Sequence, residues 1–317
     1  MLREDCNVKF NCLITKLILN SQWNFFTAIL LSPTLTLAMN LMSLGTQLLL
    51  LLMAHVNAGP WVPYDSIDQF GRHYLLPIIG GAITSTDKMA SCIEQAGITG
   101  NISYRQDSFT CDAAGQSCQL MTIIQYQEKR LTIAIKGSTI PQIVFELIDN
   151  SLIESPLFPG RINDYQNNAF TAFKSKMFPE INNLISNGTV DRIDLQGYSL
   201  GGSIAALAAY RLRTTLNEST TITLATFGEP EIGSKRFVDS FEEKLPGAIR
   251  YRNKKDPVPF YFSSLVDPDY CTHQSVAWYP NSTHNMDFEL CTNENATACA
   301  KVTGHFSLGI SVWDISV

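Results

Sequence analysis

Two apolar runs, LMTIIQYQ (residues 120–127) and LTIAIK (131–136), flank the polar turn EKR and predict a β-hairpin. The next segment, NNAFTAFKSKMFPEINNLI (167–185), changes rhythm: Phe170, Phe173, Met177 and Ile181 recur at helical spacing and mark one apolar face. VDRIDLQ (190–196) then reads as a strand and 199–213 as a helix. TITLATFG (221–228) is a strand, SKRFVDSFEEKL (234–245) an amphipathic helix, and AIRYRNK (248–254) a further strand before a proline-punctuated loop. Strands alternating with helices imply right-handed crossovers and a sheet covered by helices on both faces. The expected fold class is α/β, with a mixed, mostly parallel sheet that is antiparallel in its N-terminal part.

A different pattern precedes all of this. No Asp, Glu, Lys or Arg occurs between Lys16 and Asp65. Within that span LMSLGTQLLLLLMAHVNA (41–58) has a leucine-rich core followed by small residues, Val56 and Ala58, at signal-peptidase spacing. Residues 1–58 are therefore expected to be an N-terminal extension plus a secretory signal, removed from the mature protein. The alternative is a membrane anchor through residues 17–58, since FFTAILLSPTLTLAMNLMSL with the leucine run is long enough to span a bilayer. After Ala58 neither a repeat nor a low-complexity linker interrupts the chain, so residues 59–317 are expected to form one domain.

Composition adds limits. The chain has 317 residues, 45% of them hydrophobic, enough for a large domain with a real core. Net charge is −6 and the pI about 5.4, which gives no electrostatic reason to bind nucleic acid or anionic lipid. Six of the eight cysteines (Cys92, Cys111, Cys118, Cys271, Cys291, Cys299) lie after Ala58, an even set as disulfides in an oxidising compartment require. Glycosylation sequons fall at Asn101, Asn187, Asn217, Asn281 and Asn295, and none lies before residue 59. The expected localisation is extracellular.

The predicted strand 190–196 runs into GYSLGG and then into the predicted helix. G-x-S-x-G is a weak signal alone, but between a strand and a helix it sets a serine on a tight turn with its hydroxyl projecting. Gly197, Gly201 and Gly202 would be required there because a Cβ would clash, and the Leu200 N–H at the helix start would face a developing oxyanion. A serine hydroxyl needs a base, and the base an orienting carboxylate. In this chain order acid and histidine should follow the serine. His73 precedes it and fails that order; His273, His284 and His305 remain, and His305, in VTGHFSLGI, sits in a loop ahead of the C-terminal segment. For the acid, Asp256 lies just past a strand that Pro257 stops, with Asp267, Asp269 and Asp287 as alternatives in loops. A second oxyanion donor must come from another strand end. IAIKGST supplies Gly137-Ser138, and Ser138 offers both its backbone N–H and its hydroxyl. The apolar run that follows, with Ile140, Val144, Phe145 and Ile148, is either a core helix or a lid over the site.

Taken together, IAIKGS, GYSLGG, TFGEPEIG, RNKKDPVP, YCTHQSVAWY and GHFSLGI resemble, in order, the motifs of the class 3 lipase family of α/β-hydrolases, typified by secreted fungal lipases and with many nematode relatives. The resemblance runs from about Leu75 to the C-terminus. It implies an α/β-hydrolase fold, Ser199 as nucleophile, Asp256 as acid, His305 as base, and Ser138 with Leu200 as oxyanion donors. It also implies a lid within residues 139–160. Cys291 and Cys299 look like a short family disulfide, and with Cys111–Cys118 as a local loop, Cys92–Cys271 is left. Three positions depart from the family pattern: Tyr198 stands in place of the elbow histidine, Glu231 in place of the arginine after Pro230, and Asn167, Asn168, Ala169, Phe170 in place of His-x-Gly-Phe.

The activity these readings lead to is hydrolysis of carboxylic esters of acylglycerol-like lipids at an oil–water or membrane interface. It calls for no metal or organic cofactor and no obligate protein partner. Phospholipase A1 or feruloyl-type esterase activity on the same fold is the enzymatic alternative. A lipid-binding homologue without catalysis is the alternative of another class.

Overall fold

The structure is a computed structural model that describes residues 67–139, 142, 146, 149–253, 256, 258–260, 267–273, 275–280 and 288–291. The chain enters as α1 (Ile67–Phe70), one π turn (Gly71–Leu75) and α2 (Leu76–Ile83), followed by α3 (Met89–Gln95). Strands β1 (Ile102–Thr110), β2 (Ser117–Gln125) and β3 (Arg130–Ile135) make an antiparallel meander. The expected hairpin is its second half; β1 gave no comparable apolar run in the sequence.

Two short strands, β4 (Leu152–Glu154) and β5 (Arg161–Asn163), lead into the long helix α4 (Asp164–Ser186). Asn163 caps it, accepting the Gln166 N–H at 2.9 Å. Phe170, Phe173, Met177 and Ile181, the face read from the sequence, are fully buried. Then come β6 (Arg192–Tyr198), α5 (Leu200–Thr215), β7 (Thr221–Phe227), β8 (Gly233–Ser234), α6 (Lys235–Lys244) and β9 (Ile249–Asn253). β10 (Tyr270–Cys271), β11 (Val276–Tyr279) and β12 (Glu289–Cys291) complete the described strands.

The main sheet has eight strands in the order β1-β2-β3-β6-β7-β9-β11-β12. β3, β6, β7, β9 and β11 run parallel, and antiparallel strands flank them at both edges. This is the expected mixed sheet. A second sheet, β10-β8-β5-β4, was not foreseen; its strands are two or three residues long and too short to show a period.

Both faces of the main sheet are covered, which is why β3 is apolar or buried along its whole length. Leu131, Ile133 and Ile135 join the core beneath α4, α5 and α6, while α2 packs on β2 and β3. The small residues of α5 (Ser203, Ala205, Ala206, Ala208, Ala209) are buried all round, so this helix lies close against β6 and β7. An aromatic cluster of Phe158, Phe170, Tyr210, Phe237 and Phe241 fills the space between α4, α5 and α6 with edge-on, tilted and stacked ring contacts.

The Cys111–Cys118 disulfide is present and closes the β1–β2 turn, with a Cα separation of 5.6 Å. The expected Cys92–Cys271 pair is not. Cys92 is disulfide-bonded, whereas Cys271 is a free, half-buried thiol. The two belong to different parts of the fold: Cys92 is buried in α3, against α2, and Cys271 is held on β10 in the small sheet. Cys291 is disulfide-bonded, and its expected partner Cys299 lies outside the described residues, as do residues 1–58. Asn101, Asn187 and Asn217 are exposed, and Asn281 and Asn295 lie outside the described residues. No helix among the described residues is long and apolar enough to cross a membrane.

Candidate active site

β6 ends at Tyr198 and α5 begins at Leu200, and Ser199 between them has φ +53° and ψ −130°. For a residue with a Cβ this left-handed conformation is strained and persists only where the surroundings impose it. Two backbone bonds do so here: the Ser199 N–H donates to Phe227 O at 2.9 Å, and the Gly202 N–H donates to Ser199 O at 2.7 Å. The turn is also too tight for side chains. A Cβ at Gly197 would lie 2.1 Å from Gly201 O, and one at Gly201 would lie 2.2 Å from Ile135 O. Gly202 is less strict, its nearest neighbour being Glu229 Cβ at 3.1 Å. All three glycines read from the motif are thus at the turn, but two of them carry the constraint.

The end of β3 runs directly against this elbow. A Cβ at Gly137 would sit 2.9 Å from Ser199 Cβ and 2.7 Å from Tyr198 O. Ser138 follows immediately, so two strand ends bring Ser138 and the Leu200 N–H, in the first turn of α5, beside the serine. The Ser138 hydroxyl donates to Glu146 Oε2 at 3.5 Å, and Gln166 Nε2 donates to Glu146 Oε1 at 3.2 Å. No cation pairs with Glu146 among the described residues. Burial pushes its carboxyl up to about 7, against these two hydrogen bonds.

Asp256 stands past the end of β9, where its N–H donates to Asn253 O at 3.0 Å. Its Oδ1 accepts the Val258 N–H at 3.0 Å, and its Oδ2 lies 3.0 Å from where a Cβ of Gly228 would be. Gly228 has φ +53° and follows β7, the strand beside the elbow. Burial raises the Asp256 carboxyl, opposed by the Val258 N–H and the guanidiniums of Arg252 and Arg250. Tyr198, the residue in the usual histidine position, shares this corner. Its Cε2 is 3.9 Å from the same Gly228 position, and burial, helped by the charge of Asp256, pushes its phenol up to about 12.

The competing candidates are engaged elsewhere. Asp267 and Asp269 pair with Arg161 at the small sheet. His273 is buried and bonded through Nε2 to Glu229 Oε2 at 3.3 Å. Arg250 ties that pair down, donating to His273 O at 2.9 Å and to Glu229 O at 3.3 Å. Burial disfavours the Glu229 carboxylate, but His273, Arg250 and the Thr226 hydroxyl outweigh it and hold this group below the usual range. His284, Asp287, His305 and the four apolar positions Ile140, Val144, Phe145 and Ile148 lie outside the described residues.

Sequence reading missed Glu146 and its partner Gln166. One signal was available: Glu146 is the sole charge between Lys136 and Asp149, inside an otherwise apolar run. Among the described residues no cluster of His, Cys, Asp and Glu could hold a metal ion.

Residues 132–265 match the family described as lipase (class 3). The chain is 25% identical to lipase ZK262.3 of Caenorhabditis elegans over 58% of its own length and 59% of the relative's. It is 33% identical to secreted mono- and diacylglycerol lipase 2 of Gibberella zeae, over 34% of this chain and 29% of that one. The chain therefore spans less than two thirds of either relative. A fungal lipase–inhibitor complex superposes with a TM-score of 0.58 at 17% identity, covering 75% of this chain and 88% of that one. The lipase from Rhizopus microsporus var. chinensis superposes with a TM-score of 0.53 at 13% identity, covering 68% and 73%. These likenesses establish the α/β-hydrolase fold.

Proposed function

From the match of residues 132–265 to the class 3 lipase family, we propose that the chain is a member of that family and an exported serine esterase acting on acylglycerol-type lipids at an interface. The observation that carries this reading is Ser199 itself, held at φ +53° between the Gly137-Ser138 strand end and the corner that holds Asp256. An inert glycine turn has no need of a non-glycine residue in that conformation.

In the proposed reaction Ser199 Oγ attacks the ester carbonyl carbon, and His305 takes the hydroxyl proton. His305 enters through the family motif GHFSLGI. The tetrahedral oxyanion is stabilised by the N–H groups of Ser138 and Leu200. Asp256 orients the imidazole and offsets its charge; the Val258 N–H occupies its Oδ1 and leaves Oδ2 available. The imidazolium protonates the leaving alcohol, and water activated by the same histidine then releases the acid and restores Ser199.

Acylglycerol substrates are drawn from the mono- and diacylglycerol lipase among the relatives, and action at an interface from the fungal lipase fold. Three disulfide-bonded cysteines besides Cys111 support an oxidising compartment, as do the sequons at exposed Asn101, Asn187 and Asn217. The test is Ser199→Ala. It is expected to lower kcat on short-chain acyl esters by about 10⁴-fold or more, leaving thermal unfolding close to wild type. Equal hydrolysis by both proteins would refute the mechanism.

A further inference from the structure

The oxyanion donor is only as good as the placement of residue 138, which lies beyond the end of β3; its hydroxyl is tied to Glu146 Oε2, and its backbone needs a support of its own. The last bond that ties β3 to β2 is the Lys136 N–H to Gln119 O, at 2.9 Å. Beyond it the chain leaves the sheet. What holds it next is a side chain: Gln142 Oε1 accepts the Thr139 N–H at 2.7 Å. That bond sets the plane of the Ser138–Thr139 peptide, and with it the direction of Ser138. The other end of the same amide is anchored too. Gln142 Nε2 donates to Cys111 Sγ at 2.9 Å and to Cys118 Sγ at 3.5 Å.

The disulfide loop is itself a firm support. The Cys111 N–H donates to Gln116 O at 2.9 Å, the Gln116 N–H donates to Asp112 Oδ1 at 2.8 Å, and the Tyr165 hydroxyl of α4 donates to Asp112 Oδ2 at 2.8 Å. Residues 137–139 are therefore bracketed at both ends by the start of β2: Gln119 holds Lys136, and Cys118 with its partner holds Gln142, which holds Thr139. Gln142 is 1% exposed, with both ends of its amide in use. A side chain kept only for packing at such a position would more cheaply be apolar.

We infer that Gln142 is a positioning residue for the oxyanion site, transmitting the rigidity of the Cys111–Cys118 loop to Ser138. The inference rests on the serine-esterase reading above. It touches neither substrate nor Ser199. Its effect is on the transition state alone, because the ground-state ester is not yet an oxyanion.

Two exchanges separate this role from packing. Gln142→Met keeps the shape and removes the acceptor, whereas Gln142→Glu keeps an oxygen for the Thr139 N–H. On a soluble acyl ester Gln142→Met is expected to lower kcat by about tenfold or more with KM within about twofold, since small misplacement of a catalytic donor is costly. Gln142→Glu is expected to recover most of that loss. The paired variant Cys111→Ala/Cys118→Ala should lower kcat in the same sense, and adding Gln142→Met to it should cost less than in the wild type, as expected of residues acting through one contact.

A Gln142→Met protein with wild-type kcat would overturn the inference, as would losses that simply multiply with those of the cysteine pair. If Gln142→Met does not fold, the cysteine pair decides, an unchanged kcat there being the contrary result. An inactive wild type would instead refute the serine-esterase reading, and the inference with it.

Discussion

Ser199 and Glu146 represent two ways in which a residue can be set against its own preference. The serine is in a left-handed conformation that costs an L-residue roughly 1–3 kcal/mol, offset by the Phe227 and Gly202 bonds around it. The glutamate holds its carboxyl in a buried position with hydrogen bonds but, among the described residues, no cation. Because its folded value of about 7 lies above that of the unfolded chain, the folded state keeps the proton longer. Its contribution to stability is therefore full at acid pH and is lost as the pH rises to about 7. The whole effect is on the order of 3 kcal/mol, at 1.36 kcal/mol per unit. Glu146→Gln should remove this dependence, so that the difference in Tm between variant and wild type grows in the variant's favour from pH 5 to pH 8. A difference that stays flat across that range would contradict the burial argument. Ser199 was legible in the sequence because its flanking glycines repeat a covalent constraint, the clash of any Cβ. Glu146 was not, since a charge in an apolar run has no meaning until the fold brings its partners Ser138 and Gln166 to it.

The strand–turn–helix element β6–Ser199–α5 depends on how closely its backbone packs. Gly201→Ala would place a Cβ 2.2 Å from Ile135 O, a clash with the backbone of β3 that no rotamer relieves. It should cost about 3 kcal/mol or more of stability. Gly247→Ala, where a Cβ meets nothing within 4 Å, should change stability by less than about 0.5 kcal/mol. Chemical denaturation of the two variants checks this, and equal midpoints would mean that the elbow is looser than described. The order of these elements was readable from period alone, because β3, β6 and β7 are long enough to show runs and α4 carries a complete apolar face. The small sheet was not, because Gly233–Ser234 and Tyr270–Cys271 are too brief for any period and are defined only by their partners. The buried Glu229–His273–Arg250 group was likewise opaque. His273 could be read as a catalytic candidate until its bond to Glu229 was seen.

At the scale of the molecule, cysteine chemistry distinguishes the pairing read from the sequence from the one observed. Parity gave an even set after Ala58, but parity carries no connectivity, and Cys92 and Cys271 occupy separate sheets' surroundings. Alkylation of the native, unreduced protein followed by peptide mapping should modify Cys271 and leave Cys92, Cys111, Cys118 and Cys291 unmodified. Protection of Cys271 together with reaction at Cys92 would restore the other assignment. In the proposed mechanism the strand ends around the elbow assemble a working nucleophile at Ser199. This is tested most directly by treating the native protein with a fluorophosphonate and mapping the adduct. Near-stoichiometric labelling of Ser199 is expected, abolished in Ser199→Ala and slowed in Gln142→Met. Absence of label from the folded protein, or label on another serine, would contradict it.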